Sequence, residues 1–215
     1  MKVRNYDFVD VGRNRKPNNR VFPNNIRCIM CGPAGCGKTN LLMNFLCDWL
    51  DYDRLHVYSK TLQQEKYKTL RKAFEEVCPG VATFSTNAED VPPPNEHDGD
   101  GTTVLVLDDV MLDKQDVVER YFAYGRHVNV DIFYLVQTYS RIPKRVIRDN
   151  ANLLILFRQD DKNLKHVYDN HVGVDMMFEE FKRLGSRSWN SCQYGFLTID
   201  KTVPVNEGRY KNKFG

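Results

Sequence analysis

Apolar residues in the first half of the chain recur with two periods, which predict strands and helices in alternation. Residues 26–31 form a short apolar run that ends at a glycine turn, as expected of a buried strand. Residues 40–50 place apolar side chains at helical spacing, namely Leu41, Leu42, Phe45, Leu46 and Trp49. Residues 55–58 predict a second strand, and residues 64–77 an exposed amphipathic helix. A further short strand is predicted at residues 81–84.

The second half of the chain begins with a loop and continues with buried strands. Residues 91–102 contain proline and glycine at close intervals and no apolar period, which is typical of a loop. Residues 104–107 are continuously apolar, as in a parallel strand buried on both faces. A helix is predicted at residues 116–124, and two more buried strands at residues 132–136 and 153–157.

The remaining segments complete an α/β pattern. We expect a polar, basic crossover at residues 141–148, a helix at residues 176–184 and a strand pair around residues 193–199. Near-continuous apolar strands that alternate with helices are typical of a mostly parallel sheet with helices on both faces. The pattern therefore predicts an α/β fold of this kind.

Composition agrees with one packed domain. The chain has 215 residues, of which 41% are hydrophobic and 27% charged, values close to those of ordinary globular proteins. We predict a basic arm at residues 1–25 and one domain at residues 26–215, with residues 160–215 as its C-terminal extension. The longest aliphatic or aromatic runs have five residues, so no membrane-spanning segment is expected. The N-terminus lacks an apolar signal region, which predicts a soluble, intracellular protein with reduced cysteines.

Charge is distributed unevenly along the chain. Residues 1–27 hold seven basic and two acidic residues, residues 28–140 hold 10 and 17, and residues 141–215 hold 14 and nine. Basic ends around an acidic middle are compatible with a bound polyanion, because Lys and Arg attract phosphates without sequence preference. Solvated charge on surface helices explains the same distribution equally well.

One motif between a predicted strand and a predicted helix indicates a phosphate site. Residues 32–39 read GPAGCGKT, which matches the P-loop pattern G-x-x-x-x-G-K-[ST] in the context that the motif requires. Its glycines let backbone N–H groups converge on phosphate oxygens. We expect Lys38 to reach the β- and γ-phosphates of ATP and the Thr39 hydroxyl to bind Mg²⁺. The residues predicted to bind the nucleotide are Gly32, Pro33, Ala34, Gly35, Cys36, Gly37, Lys38, Thr39 and Asn40.

Acidic and amide side chains follow two of the buried strands. Asp108 and Asp109 come directly after residues 104–107, which is the arrangement of a Walker B element. We expect Asp108 to hold Mg²⁺ through its outer shell and Asp109 to orient and deprotonate the attacking water. An acidic surface turn is the alternative interpretation of the pair. Gln137 ends the next strand, where an amide can contact both the γ-phosphate and that water. Taken alone, a polar residue that merely closes a strand is the alternative interpretation of Gln137, and its position after a Walker B strand favours the sensor.

These elements together resemble a known class of motor. The sequence is similar to the genome-packaging ATPases of double-jelly-roll-capsid DNA viruses. The similarity lies in GPAGCGKT, LVLDD, the strand ending at Gln137, GRHVN at residues 125–129 and IPKRVIRDNANLLILF at residues 142–157. Among these, the sequence most resembles the ATPases of Polinton (Maverick) elements and their viral relatives. The resemblance covers residues 26–158. It implies a P-loop NTPase of the FtsK/HerA division with a RecA-like (ASCE) sheet, in which the Gln137 strand lies between the Walker A and Walker B strands.

The resemblance also implies roles for particular residues. Lys38 and Thr39 match the Walker A pair, Asp108 the metal-binding acid and Gln137 the sensor. Asp109 departs from the Asp-Glu pair common in the wider superfamily, although it remains the best candidate for the water activator.

An arginine is expected to complete the site in trans. Arg126 falls in the segment where these motors carry an arginine that acts on the nucleotide of a neighbouring subunit. Arg148 and Arg158 are the alternatives for that arginine finger. All three arginines can also be interpreted as exposed surface charges without such a role.

The function implied by the resemblance is a Mg-ATP-dependent motor that packages viral double-stranded DNA into a preformed capsid. Its expected partners are double-stranded DNA bound with weak sequence preference, a capsid vertex protein and further copies of the chain in a pentameric or hexameric ring. Its expected location is the host nucleus or a viral assembly site. The alternatives are a DNA helicase, a transposition-associated ATPase and, with less support, a P-loop kinase of small molecules or nucleotides.

Two metal-like patterns in the sequence are weak. Cys28 and Cys31 form a C-x-x-C without a second pair, and a strand would place them on opposite faces. We interpret both as small buried apolar residues. His166 and His171 lack a partner motif, so no metal role is expected for them.

Overall fold

The computed structural model describes residues 22–97 and 101–212, apart from the side chain of Arg126. Within this part of the chain, the strands are β1 (Arg27–Cys31), β2 (Arg54–Ser59), β3 (Ala82–Ser85), β4 (Thr103–Asp108), β5 (Val130–Val136), β6 (Leu153–Leu156), β7 (Leu197–Asp200) and β8 (Tyr210–Asn212). The α-helices are α1 (Lys38–Asn44), α2 (Glu65–Val77), α3 (Asp116–Tyr124), α4 (Asp161–His171) and α5 (Phe178–Trp189). Strands and helices alternate as the apolar periods predict.

The strands form one sheet in the order β3-β2-β4-β5-β1-β6-β7-β8. The first six strands in that order run parallel, whereas β7 and β8 are antiparallel to their neighbours. β5 lies between β1 and β4, as the resemblance implies for the strand that ends at Gln137. The mostly parallel α/β P-loop fold is therefore confirmed.

Helices cover both faces of the sheet because the parallel strands are apolar on both faces. Alternate side chains of β1 enter different apolar clusters: Ile29 and Cys31 pack on the face covered by α3, α4 and α5, whereas Cys28 and Met30 pack on the face covered by α1 and α2. The predicted separation of the two cysteines is thus confirmed. Both are fully buried, and the described residues contain no cluster of three or more metal-ligating side chains.

The sequence prediction was wrong in several C-terminal details. No strand pair forms within residues 193–199, because β7 pairs with β6 and with the later strand β8. Helix α4 was missed, although Asp160 caps it by accepting a 2.7 Å hydrogen bond from the N–H of Asn163. The helix predicted at residues 176–184 extends instead over Phe178–Trp189.

Helix α1 also differs from its prediction. It begins at Lys38, directly after the P-loop, and its last turns widen into a π-helical segment at Phe45–Trp49. The predicted crossover at residues 141–148 contains a second π-helical segment, Lys144–Arg148. The predicted loop at residues 91–102 holds only a short 3₁₀ turn, Pro94–Glu96, in its described part.

No helix in the described part of the chain is both long and apolar enough to span a bilayer. Most of the arm predicted at residues 1–25 lies outside the described residues. Its division from a domain at residues 26–215 stays a prediction.

Candidate nucleotide site

The P-loop links β1 to α1 in a conformation that depends on glycine. Gly35 and Gly37 have φ values of 75° and 108°, a region that side chains with a Cβ rarely adopt. Gly32 is required for close packing instead, since a methyl group there would lie 2.6 Å from Cβ of Phe157. The loop can therefore present its backbone to a ligand without intervening side chains.

Lys38 lies at the first position of α1, with its ammonium group folded over the loop. Its Nζ donates hydrogen bonds to the carbonyl oxygens of Gly32 and Pro33 at 2.5 and 3.0 Å. Thr39 and Asn40 follow at the mouth of the loop and are half-buried. The position of Lys38 agrees with that expected of a Walker A lysine.

Asp108, the last residue of β4, is buried and accepts a hydrogen bond from a residue of helix α2. The hydroxyl of Tyr67 on α2 donates a 2.6 Å hydrogen bond to its Oδ2. Burial raises the pKa of the Asp108 carboxyl above its ordinary value, and the Tyr67 hydrogen bond and the Lys38 ammonium offset part of that rise. A buried carboxylate in this position is suited to a cation.

Asp109 differs from Asp108 in backbone and in exposure. Its φ is 56°, in the left-handed region that Asp adopts more readily than most residues, and its side chain is exposed. The following turn is fixed by Gln115, whose amide donates to the carbonyl of Val110 at 2.9 Å and accepts from the hydroxyl of Tyr134 at 2.8 Å. The turn thus places one acid of the pair inside the protein and the other at the surface of the cleft.

Gln137 follows β5 and lies beside the P-loop. The N–H of Gly32 donates a 3.1 Å hydrogen bond to the carbonyl of Val136, which ties the start of the P-loop to the end of β5. The Gln137 side chain is exposed and lines the same cleft as Asp108 and Asp109.

This cleft has a volume of about 460 Å³ and joins most of the predicted site residues. Of the predicted P-loop residues, those that line it are Ala34, Gly35, Gly37, Lys38, Thr39 and Asn40. Gly32, Pro33 and Cys36 do not line it. The structure therefore brings together residues from the ends of β1, β4 and β5, which are adjacent in the sheet.

The arginines considered for the finger differ in their surroundings. Arg126 lies in a 3₁₀ turn, Gly125–His127, between α3 and β5, but its side chain lies outside the described part. Arg148 is engaged within the chain, because it donates to the carbonyl of Ile142 at 2.7 Å and lies 5.2 Å from the centre of the Tyr139 ring. Arg158 donates to Oδ1 of Asn190 at 2.5 Å.

Sequence reasoning missed several residues in or beside the site. Tyr67 was predicted only as part of the helix at residues 64–77, but it contacts Asp108. Tyr194 was predicted only as part of the strand pair around residues 193–199, but it lines the cleft. Arg141 was placed in the crossover, yet it lines the cleft with Gln137. Its position four residues beyond Gln137 could have indicated this, whereas no local signal marks the two tyrosines.

His171 connects helix α4 to the segment that follows β5. His171 on α4 shares a 2.7 Å hydrogen bond, through Nε2, with the hydroxyl of Tyr139 beyond β5. Burial, aided by the positive charges of Lys201 and Arg148, lowers the pKa of His171 to about 3. The hydrogen bond to Tyr139 joins α4 to the segment that follows β5.

Comparison with protein families and relatives gives a viral context. Residues 82–176 match the family described as Poxvirus A32 protein. Over 126 residues, or 56% of this chain, the sequence is 31% identical to uncharacterized protein 075L of Invertebrate iridescent virus 6. The match spans only 48% of that relative, so the chain corresponds to about half of its length.

Solved structures show the same fold. The genome packaging NTPase B204 of Sulfolobus turreted icosahedral virus 2, in complex with ATP-γS, superposes with a TM-score of 0.61 at 16% identity over 88% of this chain and 96% of B204. The DNA-packaging ATPase B204 of Sulfolobus turreted icosahedral virus gives a TM-score of 0.57 at 17% identity over 87% and 97% of the two chains. Through nearly its whole described length, this chain has the fold of viral packaging NTPases.

Proposed function

We propose that this protein is a Mg²⁺-dependent ATPase that moves double-stranded DNA into a preformed viral capsid. The observation that carries the proposal is the convergence of the P-loop, the Asp108–Asp109 pair and Gln137 on one cleft at the carboxyl edge of the sheet. Nucleotide binding alone would require the P-loop, whereas acids and an amide at its open end are the groups that hydrolysis requires.

The cleft residues fit a nucleoside triphosphate and Mg²⁺. The backbone of Gly35 and Gly37 is free to approach phosphate oxygens, and the Lys38 ammonium would exchange its carbonyl partners for them. Thr39 offers an oxygen ligand of the kind that Mg²⁺ prefers, and Asp108 would act on the ion through the water molecules of its outer shell. When bound, Mg²⁺ neutralises charge on the phosphate oxygens.

Asp109 and Gln137 act on the attacking water in different ways. Asp109 is exposed to the cleft and accepts the proton of that water, while its buried neighbour Asp108 stays with the metal. Gln137 orients the water from the adjacent strand, since its amide can donate and accept at once. This division is supported by the opposite exposure of the two carboxylates.

Arg126 supplies positive charge in trans, to the nucleotide of the next subunit in a ring. An arginine at the γ-phosphate stabilises the charge that develops during phosphoryl transfer. The internal contacts of Arg148 count against that alternative.

DNA packaging as the purpose of hydrolysis is supported by three observations. The fold is that of two proteins described as packaging enzymes, both ends of the chain are basic, and residues 82–176 match a viral family. A pentameric or hexameric ring, a capsid vertex partner, an assembly-site or nuclear location and a Polinton-type origin belong to the same proposal and stay predictions.

The experiment that tests the proposal measures ATP hydrolysis with double-stranded DNA and, separately, with small phosphate acceptors. We expect hydrolysis that rises several-fold with duplexes of unrelated sequence and is insensitive to acceptors. Phosphate transfer to an acceptor would instead identify a kinase. ATP-dependent separation of DNA strands would identify a helicase.

A further inference from the structure

Tyr194 is an exposed aromatic residue held against the P-loop. Its side chain is 45% exposed and lines the cleft. A methyl group placed on Gly37 would come within 2.9 Å of its Cδ1. Within the described part of the chain, the ring has no hydrogen bond and no contact with another aromatic ring. An exposed aromatic ring therefore lies beside the phosphate site.

The turn that carries Tyr194 is fixed on both sides. Trp189, at the end of α5, donates a 2.8 Å hydrogen bond from Nε1 to the carbonyl of Leu156 at the end of β6. Gly195 lies so close to α5 that a Cβ there would be 2.3 Å from the carbonyl oxygen of Ser188. The turn that carries the ring is thus fixed by its packing against α5 and by the link between α5 and β6.

The order of the strands gives the cleft two different ends. Asp108 ends β4 and Gln137 follows β5, and both strands lie on one side of β1. Tyr194 precedes β7, whose first residue Leu197 pairs with the last residue of β6, on the other side of β1. A triphosphate whose γ end points toward the two hydrolytic groups must direct its α end, and the nucleoside beyond it, toward the side of Tyr194.

We propose that Tyr194 is the platform on which the base of the nucleotide stacks. The inference rests on the proposed function, since it assumes that the P-loop binds a nucleoside triphosphate. An aromatic ring beside a phosphate site provides apolar area and a π-face, both of which favour a planar base. Tyr194 determines the affinity for the nucleoside half of the ligand, and the P-loop determines the affinity for the phosphates.

The test compares two ligands that share the triphosphate and differ in the base. Calorimetry in the presence of Mg²⁺ measures the Kd of ATP-γS and of inorganic tripolyphosphate for the wild-type protein and for Tyr194→Ala, Tyr194→Phe and Tyr124→Ala. Tyr124 is a similarly exposed aromatic residue on α3 that does not line the cleft. We expect Tyr194→Ala to weaken ATP-γS roughly ten- to a hundredfold and to leave tripolyphosphate unchanged. Tyr194→Phe and Tyr124→Ala should bind both ligands as the wild type does.

The other outcomes separate this inference from the proposed function. Equal weakening of both ligands by Tyr194→Ala would show that the ring only supports Gly37, and unchanged binding of both would show that no base stacks there. Either result overturns the platform and leaves the ATPase proposal standing. A wild-type protein that binds neither ligand would overturn the proposed function and the platform together.

Discussion

The hydroxyl of Tyr67 donates a 2.6 Å hydrogen bond to Oδ2 of Asp108. It thereby connects helix α2 to the carboxylate that we assign to the metal. Only part of the Asp108 carboxylate remains available to other ligands, and its orientation is fixed before any cation arrives. Partners of this kind tune metal sites because they orient the ligand and set its basicity.

Replacing Tyr67 with Phe should weaken the metal site while leaving the fold intact. We expect the Mg²⁺ concentration for half-maximal hydrolysis to rise about tenfold or more, because a hydrogen bond that orients the Asp108 carboxylate is lost. Tyr52→Phe is the matched control, since the Tyr52 hydroxyl bonds the carbonyl of Leu46 at 3.0 Å, away from the cleft. An unchanged Mg²⁺ requirement in Tyr67→Phe would contradict the positioning role.

Lys38→Ala should abolish hydrolysis, with turnover reduced on the order of 10³-fold or to background. The reason is that its ammonium supplies charge where the transferred phosphoryl group becomes more negative. Lys68→Ala, which removes an exposed lysine paired with Glu65, is the control and should hydrolyse ATP normally. Normal turnover in Lys38→Ala, measured by phosphate release, would remove the basis of the P-loop assignment.

The two acids should fail in different ways. Asp109→Asn should bind Mg-ATP and lose hydrolysis, because the amide keeps the size of the side chain but cannot accept a proton. Asp108→Asn should instead weaken metal binding. Nucleotide binding and single-turnover hydrolysis, each titrated with Mg²⁺, separate these effects. Reversed phenotypes would mean that the roles of the two acids are exchanged.

Mixing experiments distinguish an arginine that acts in trans from one that acts in cis. Lys38→Ala and Arg126→Ala proteins should each be inactive, yet a mixed ring contains interfaces where an intact P-loop meets an intact Arg126. We expect hydrolysis to recover on mixing. Lys38→Ala mixed with Asp109→Asn is the contrast, since each of these changes damages the cleft of its own chain and no subunit of the mixed ring has an intact cleft. No recovery with Arg126→Ala, once subunit exchange is demonstrated with labelled protein, would exclude its trans role.

Stability should fall as the pH decreases from about 7 to 5. Burial lowers the pKa of His171 to about 3 and that of His56 to about 4, whereas the unfolded chain binds these protons near pH 6.5. Since the unfolded state takes up more protons in this window, His171 costs up to about 1.4 kcal/mol of stability per pH unit. The cost at His56 is smaller, because this residue is half-buried and solvent screens its charge. Urea unfolding at pH 7 and 5.5 measures the effect. His171→Gln should reduce the slope, and equal stability of the wild-type protein at the two pH values would contradict the role of these histidines.

The parallel half of the sheet could be predicted from sequence because its signals are local. Strands β1, β4 and β5 are buried on both faces, so each contains a continuous apolar run of four or five residues, and the P-loop motif identifies the turn after β1. The residues that end these strands then share one edge of the sheet. For this reason Lys38, Asp108 and Gln137 could be assigned to one site without coordinates.

The C-terminal part could not be predicted in the same way, because it depends on contacts between distant residues. The partner of β7 is a strand that begins at Tyr210, and no period in the sequence indicates that pairing. Tyr67 and Tyr194 reach the site from α2 and from the turn before β7, 41 residues from Asp108 in the first case. A tyrosine on an apolar helix face gives no sign of what its hydroxyl contacts.

DNA binding should depend steeply on salt and weakly on sequence. The basic ends offer phosphate contacts, and no base-reading motif is present. Competition between unrelated duplexes at two salt concentrations measures both properties. Discrimination between duplexes on the order of 10³-fold would indicate a site-specific protein instead.

The central claim, ATP-driven movement along double-stranded DNA, is tested most directly by displacement of a third strand from a triplex. The assay measures release of a labelled triplex-forming strand from an otherwise intact duplex. The account predicts ATP-dependent release by the wild-type protein, no release by Lys38→Ala, and no separation of the two duplex strands. Hydrolysis without release, under conditions where the protein is bound to the duplex, would contradict it.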